Sequence, residues 1–252
     1  MRYFICLSYH GGPFVGWQVQ PKGRSVQGCI EEALSKILRL PIGIVGCGRT
    51  DAGVHARKFF AHFDSERSIP ADTALRLNKM LHPHIAIQAI LPVDTSLHAR
   101  FSAIKRSYKY HICRHFTPFQ HTLEYHYYGF AQLDKDLMQQ AAQLLLEFDD
   151  FYPFCKSRSD ANHYRCQLLQ SHWHFDTDRM VYEVSSNRFL RGMVRLIVGM
   201  CIQVGSGQCK LNEVRQAMQT HEMLTRRLSA PAHGLFLTDI VYDPPLEYDL
   251  GG

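Results

Sequence analysis

One order of hydrophobic periodicities, strand, helix, strand, strand, helix, strand, runs through this chain twice, and it narrows the fold more than any single residue does. Residues 2–9 (RYFICLSY) form a β-rich run that ends at the turn signal His10-Gly11-Gly12-Pro13. Ser25 then opens a helix. Its apolar residues Val26, Cys29, Ile30, Ala33, Leu34, Ile37 and Leu38 follow the i, i+3, i+4, i+7 spacing of a core-facing face. Strands are expected at 42–46 and 58–63, a helix from Pro70 to Leu81 and an apolar strand at 85–91. The second half repeats the order: a strand at 104–113, a helix at 134–148, and strands at 167–175 and 180–185 joined by a turn at 176–179. A helix at 189–204, a shorter one at 211–220 and a last strand at 235–242 follow. The expected fold is α+β: two pseudo-repeated ferredoxin-like (βαββαβ) halves whose antiparallel sheets flank a central active-site cleft. An N-terminal subdomain of residues 1–102, a C-terminal subdomain of 103–245 and a poorly ordered tail of 246–252 follow from this reading.

Composition bounds the function. A chain of 252 residues with 46% hydrophobic and 20% charged residues builds a real core. Its net charge of +5 suits a polyanionic partner, because basic side chains attract phosphates and release counterions. The start lacks a basic segment followed by an unbroken apolar stretch, and no run approaches the roughly 20 apolar residues of a membrane span. A cytoplasmic protein is expected. The eight cysteines are scattered without C-x-x-C spacing, which argues against both a disulfide framework and a structural zinc knuckle. Among the 15 histidines, His82-Pro-His84 and His172-Trp-His174 hint at a metal, but neither pair has a third ligand at a telling distance in the sequence. No metal is expected.

The most informative stretch is Gly48-Arg49-Thr50-Asp51-Ala52-Gly53-Val54-His55-Ala56, which lies between two expected strands and so emerges at a sheet end. Its glycines permit tight turns and close approach to a ligand. Taken alone, Thr50 and Asp51 are equally suited to shaping the loop by bonding its amides.

The stretch closely resembles the active-site motif of the tRNA pseudouridine synthase A family. Further matches stand in the family's order, from about residue 3 to 242. Gly16-Trp17-Gln18 looks like its early turn, and Ser25-Val26-Gln27 like its first helix start. His98-Ala99-Arg100-Phe101-Ser102-Ala103 resembles its interdomain segment and Arg106-Ser107-Tyr108 its R-x-Y motif. The run from Asn187 to Arg195 (NRFLRGMVR) is similar to its F-L-x-x-M-V-R helix, and Gly234-Leu235-Phe236-Leu237 to its closing strand.

The resemblance implies a cofactor-free isomerase that converts uridine to pseudouridine in the anticodon stem-loop of tRNA, at positions 38, 39 and 40. It also implies a homodimer. Asp51 falls on the family's essential aspartate, acting either as a nucleophile at C1′ or as a base at C2′. A carboxylate that must stay ionised in a water-poor pocket needs a cation beside it, and Arg195 is the candidate. On a helix from residue 189, Arg188, Arg191 and Arg195 would share one flank. Tyr108 matches the tyrosine that stacks on the target base. Arg106, Tyr108 and Tyr110 alternate along one strand face. The target uridine must leave its stack, so Arg49, His55, Lys58 and Arg100 are candidates to hold it or its phosphates, with Arg24, Arg106, Lys105 and Arg188 behind them. Two departures from the family pattern stand out. Gly192 replaces a bulkier residue, often His, and residues 155–166 do not align. Two other activities fit parts of this pattern: a non-catalytic RNA-binding module, and a hydrolytic N-glycosidase that releases free base.

Overall fold

A computed structural model describes residues 1–156 and 163–246. The expected tail from 247 onward and residues 157–162 of the unaligned stretch lie outside the described residues. The chain is a mixed α+β protein with five α-helices among the described residues. It forms two compact units. The first is Met1–Lys105 with the chain from Leu237, and the second is Arg106–Phe236.

In the first unit the strands are β1 (Arg2–Tyr9), β2 (Val45–Gly46), β3 (His55–Asp64) and β4 (Ile85–Val93), and the helices are α1 (Val26–Leu38) and α2 (Thr73–Leu81). β1 pairs antiparallel with β3 on one side and β4 on the other, and every residue from Tyr3 to Leu7 is buried, so both faces of this apolar run are covered. Register places Tyr3 opposite Phe63, and their rings stack at 5.4 Å. Ser25 caps α1 as expected, its hydroxyl accepting from the Gly28 amide.

β2 is shorter than the sequence predicts. The Ile42 amide donates to the Ser35 hydroxyl and the Ile44 amide to the Glu31 carboxylate, so side chains of α1 take the donors that a ladder would use. β3, by contrast, begins three residues earlier than expected and takes in His55.

The second unit contains β5 (Ala103–Cys113) from Arg106 onward, β6 (Tyr125–His126), β7 (Leu168–Phe175) and β8 (Arg179–Ser186). Its helices are α3 (Lys135–Leu144), α4 (Met193–Gly205) and α5 (Leu211–Thr220). β8 lies between β5 and β7, and β6 runs parallel to β5. The last strand, β9 (Leu235–Tyr242), starts in the second unit and finishes in the first, where it follows β3 in the strand order.

α4 corrects the sequence reading. The predicted helix from Phe189 starts only at Met193, because Gly192 has φ of 72°, a left-handed conformation that interrupts a right-handed helix. Arg188 and Arg191 therefore precede the helix, and the three-arginine flank deduced from helical spacing does not form. Every residue from Ile197 to Gly205 is buried, so α4 is a core helix rather than an amphipathic one.

The 98–103 segment is tied to the first unit through the backbone of Ala99. Its amide donates to His62 Nδ1 at 3.1 Å, and its carbonyl accepts from the Tyr242 hydroxyl at 2.7 Å. Both polar groups of a fully buried residue are thereby satisfied. Burial, with Arg2 and His98 nearby, lowers the His62 pKa from 6.5 to about 4. The folded state thus resists a proton that the unfolded chain accepts near pH 6.5. The stability this linkage provides is complete above pH 6.5 and is lost as pH falls toward 4. Urea unfolding of the native protein should show falling stability across that window, and His62→Gln should flatten the slope. Parallel pH profiles for the two proteins would contradict the assignment.

Candidate active site

The loop between β2 and β3 is held from several sides. Its entry is fixed by the Cys47 amide donating to the Phe60 carbonyl of β3 at 2.8 Å. The Trp17 amide donates to the Thr50 carbonyl at 3.2 Å, Gly16 forms an isolated β-bridge with Asp51, and the Tyr9 and Thr50 hydroxyls meet at 2.9 Å. The Val54 amide closes back onto the Asp51 carbonyl at 3.2 Å. Asp51 is half-buried. The Gly16-Trp17 turn can approach this closely only because residue 16 has no side chain. Its φ is 113°, and a Cβ there would lie 2.6 Å from the Thr50 carbonyl oxygen. Trp17 is 3% exposed and stacks on Phe59 at 4.0 Å, so it anchors the turn in the core rather than offering a face to RNA. Phe14 is buried as well.

His55 is not on the surface the sequence reading gave it. It is 1% exposed, its Nδ1 accepts from the Gly11 amide, and its ring meets His10 edge-on at 4.6 Å. It fixes the 10–13 turn from inside. Lys58 is likewise engaged, in a 2.9 Å ion pair with Asp239 of β9. Arg49, Arg24 and Arg100 are exposed. Arg24 lies over the Phe14 ring and Arg100 over Phe101.

Asp51 belongs to the first unit, and Tyr108 and Arg195 to the second. Tyr108 sits on β5 opposite Val184 of β8, half-buried, with the Phe189 ring meeting it edge-on at 5.1 Å. The alternation that links Arg106, Tyr108 and Tyr110 is real, but exposure ends at Tyr110. That residue is fully buried, and its hydroxyl donates to the Pro231 carbonyl at 2.8 Å. Burial pushes its phenol pKa up.

Arg195, in the first turn of α4, donates from Nε to the Ala230 carbonyl at 2.6 Å, while the Ala230 amide donates to the Arg195 carbonyl at 3.0 Å. This reciprocal pair fixes the guanidinium against the 221–231 segment. No residue pattern signals it, because the partner is a backbone carbonyl 35 residues away. Arg106 donates to the Asn187 carbonyl at 2.7 Å, and Arg188 reaches the His163 ring at 2.7 Å. The two arginines thus tie down the stretch before α4. Next to the undescribed residues, the Lys156 amide donates to the Arg191 carbonyl, and Cys155 and Cys166 are buried.

Comparison with known proteins supplies the class: residues 141–243 match the family model described as tRNA pseudouridine synthase. Relatives named tRNA pseudouridine synthase A extend the match over nearly the whole chain. The protein from Parabacteroides distasonis is 41% identical over 247 residues, covering 97% of both chains. The one from Porphyromonas gingivalis is 40% identical over 97% of this chain and 98% of its own, and the one from Bacillus subtilis is 33% identical over 96% of this chain and its entire length. The chain belongs to the tRNA pseudouridine synthase A family, whose members are isomerases.

The clamp on the aspartate loop generates a stability prediction. Gly16→Ala forces a positive φ on a residue with a Cβ, costing roughly 1–2 kcal/mol, and presses that Cβ onto the Thr50 carbonyl. Gly48→Ala, whose Cβ would meet nothing within 4 Å, is the control. Thermal unfolding should show a lower Tm for the first and a near-native Tm for the second. Equal Tm values would show that the turn does not bear on the loop as described.

Proposed function

We propose that this protein converts uridine to pseudouridine in the anticodon stem-loop of tRNA, at positions 38, 39 and 40, with Asp51 as the catalytic carboxylate. The observation that carries the reading is the clamped Asp51 loop in a chain of this family. The reaction breaks the N1–C1′ bond and re-forms it at C5, so the C5 proton is released and no electrons are gained or lost overall. Asp51 starts it by attacking C1′ or by removing the C2′ proton, and both routes need an ionised carboxylate beside the ribose. Tyr108 stacks on the target base, and Arg195 supplies the guanidinium. A base buried in an RNA stem reaches such groups only when flipped out of its stack.

Arg49, Arg100 and Arg24 are exposed cations suited to the phosphates, with Arg106 and Arg188 as further contacts. His55 and Lys58 act from within the first unit, by holding the 10–13 turn and β9 respectively. The wider reading divides the chain near residue 102 into two ferredoxin-like halves. It is supported in the first half by the pairing of β1 with both β3 and β4 and of β2 with β3, in a unit that also holds two helices. A homodimer working in the cytoplasm completes it. The dimer rests on the motif resemblance, and the compartment agrees with eight free cysteines and with no described helix long and apolar enough to cross a membrane.

Tritium release from tRNA labelled at uracil C5 tests the assignment. Asp51→Ala should lower the rate by about 1,000-fold or more while retaining RNA binding. Tyr108→Phe, which keeps the stacking ring, should cost only a few-fold, and Tyr108→Ala roughly 10–100-fold. Arg195→Lys should lose most activity, because an ammonium does not reproduce the planar fork. Native-like release by Asp51→Ala would overturn the role given to Asp51.

A further inference from the structure

Away from every residue used above, strand pairing builds a cluster that the sequence does not display. His172 and His174 alternate on one face of β7, and the register places Glu183 of β8 directly opposite His172. The opposite face carries Ser171, Trp173 and Tyr182 into the core, so the two histidines and the glutamate share the outer face. Their ligand atoms converge. His172 Nε2 and His174 Nε2 are 2.6 Å apart. The Glu183 oxygens lie 3.8 Å from His172 Nε2 and 3.7 Å from His174 Nε2. All three groups offer an atom within 4.8 Å of one another.

We propose that His172, His174 and Glu183 form a binding site for a divalent transition-metal ion of the zinc type. Two imidazole nitrogens and a carboxylate suit zinc, copper or nickel, whereas calcium and magnesium prefer all-oxygen sets. Ligand bonds of about 2.0–2.1 Å at tetrahedral angles need donor atoms about 3.3 Å apart. The nitrogen–oxygen separations are within half an ångström of that, and a small ring rotation opens the nitrogen pair. His174 is 59% exposed at its side chain, which leaves an entry path and a position for water as the fourth ligand. Without an ion, two Nε2 atoms this close must share a proton, with one ring as donor and the other as acceptor; an ion replaces that proton.

Outer partners are present too. The Gln170 amide lies 3.2 Å from His172 Nδ1, the atom that carries the proton when Nε2 is bound, and a half-turn of the amide presents its oxygen. Lys109 of β5 pairs with Glu183 Oε1 at 2.5 Å and competes with the ion for one carboxylate oxygen, leaving Oε2. Bound there, the ion would tie outer strand β7 to β8.

Zinc chloride titration of the metal-stripped full-length protein by calorimetry is the test, read against His174→Gln, Glu183→Gln and His172→Gln/His174→Gln. The native protein should bind one equivalent more than the double variant, and each single variant should weaken that site by more than about 10-fold. Zinc should raise the Tm of the native protein but not of the double variant. Cobalt in the same site should give a tetrahedral visible spectrum without thiolate-to-metal charge transfer. His174→Gln changes an exposed side chain and so reads the site in a folded protein. Identical zinc stoichiometry and affinity in native and double variant would overturn the proposal, as would a cobalt spectrum dominated by thiolate charge transfer.

Discussion

The aspartate loop depends on the approach of one stretch of backbone to another. Between the Gly16-Trp17 turn and residues 50–54, a β-bridge, an amide-to-carbonyl bond and a hydroxyl pair from Tyr9 act together. Each is worth only about 1 kcal/mol net. Together with a turn that tolerates no Cβ at residue 16, they restrict where the Asp51 carboxylate can sit. Behind them stand Trp17 stacked on Phe59 and the His55 ring bonded to Gly11, both buried. The Asp51 loop is thus backed by core residues rather than left to solvent.

The second unit fixes its contributions differently. Tyr108 takes its direction from strand alternation, with Phe189 at its edge. Arg195 takes its position from backbone: a left-handed Gly192 sets where α4 begins, and Ala230 holds the guanidinium. The glycine here accounts for the late helix start.

Much of this was legible in the residues. The strand and helix order, the Ser25 cap and the position of the Asp51 loop follow from periodicity, capping chemistry and turn residues. What was not legible depended on partners distant in sequence. The strand expected at 42–46 shrank because Glu31 and Ser35 took its amides. The helix expected at 189 was delayed because 3.6-residue periodicity carries no information about φ at a glycine. His55 and Lys58 stand beside the motif as candidates to hold the nucleotide or its phosphates, but the fold gives them Gly11 and Asp239 as partners. The histidine pair at 172 and 174 lacked a third ligand in sequence and gained Glu183 only through the β7–β8 register.

The proposed reaction is a rearrangement within one nucleotide, with nothing added to the RNA and nothing lost from it except the exchanged proton. Nucleoside analysis of unmodified tRNA after incubation with the protein tests it most directly. Every uridine lost should reappear as pseudouridine in the anticodon stem-loop, with no free uracil in solution. Free uracil matched to the lost uridine would make the protein a hydrolytic glycosidase instead. Unchanged tRNA that nonetheless binds the protein would leave it an RNA-binding module.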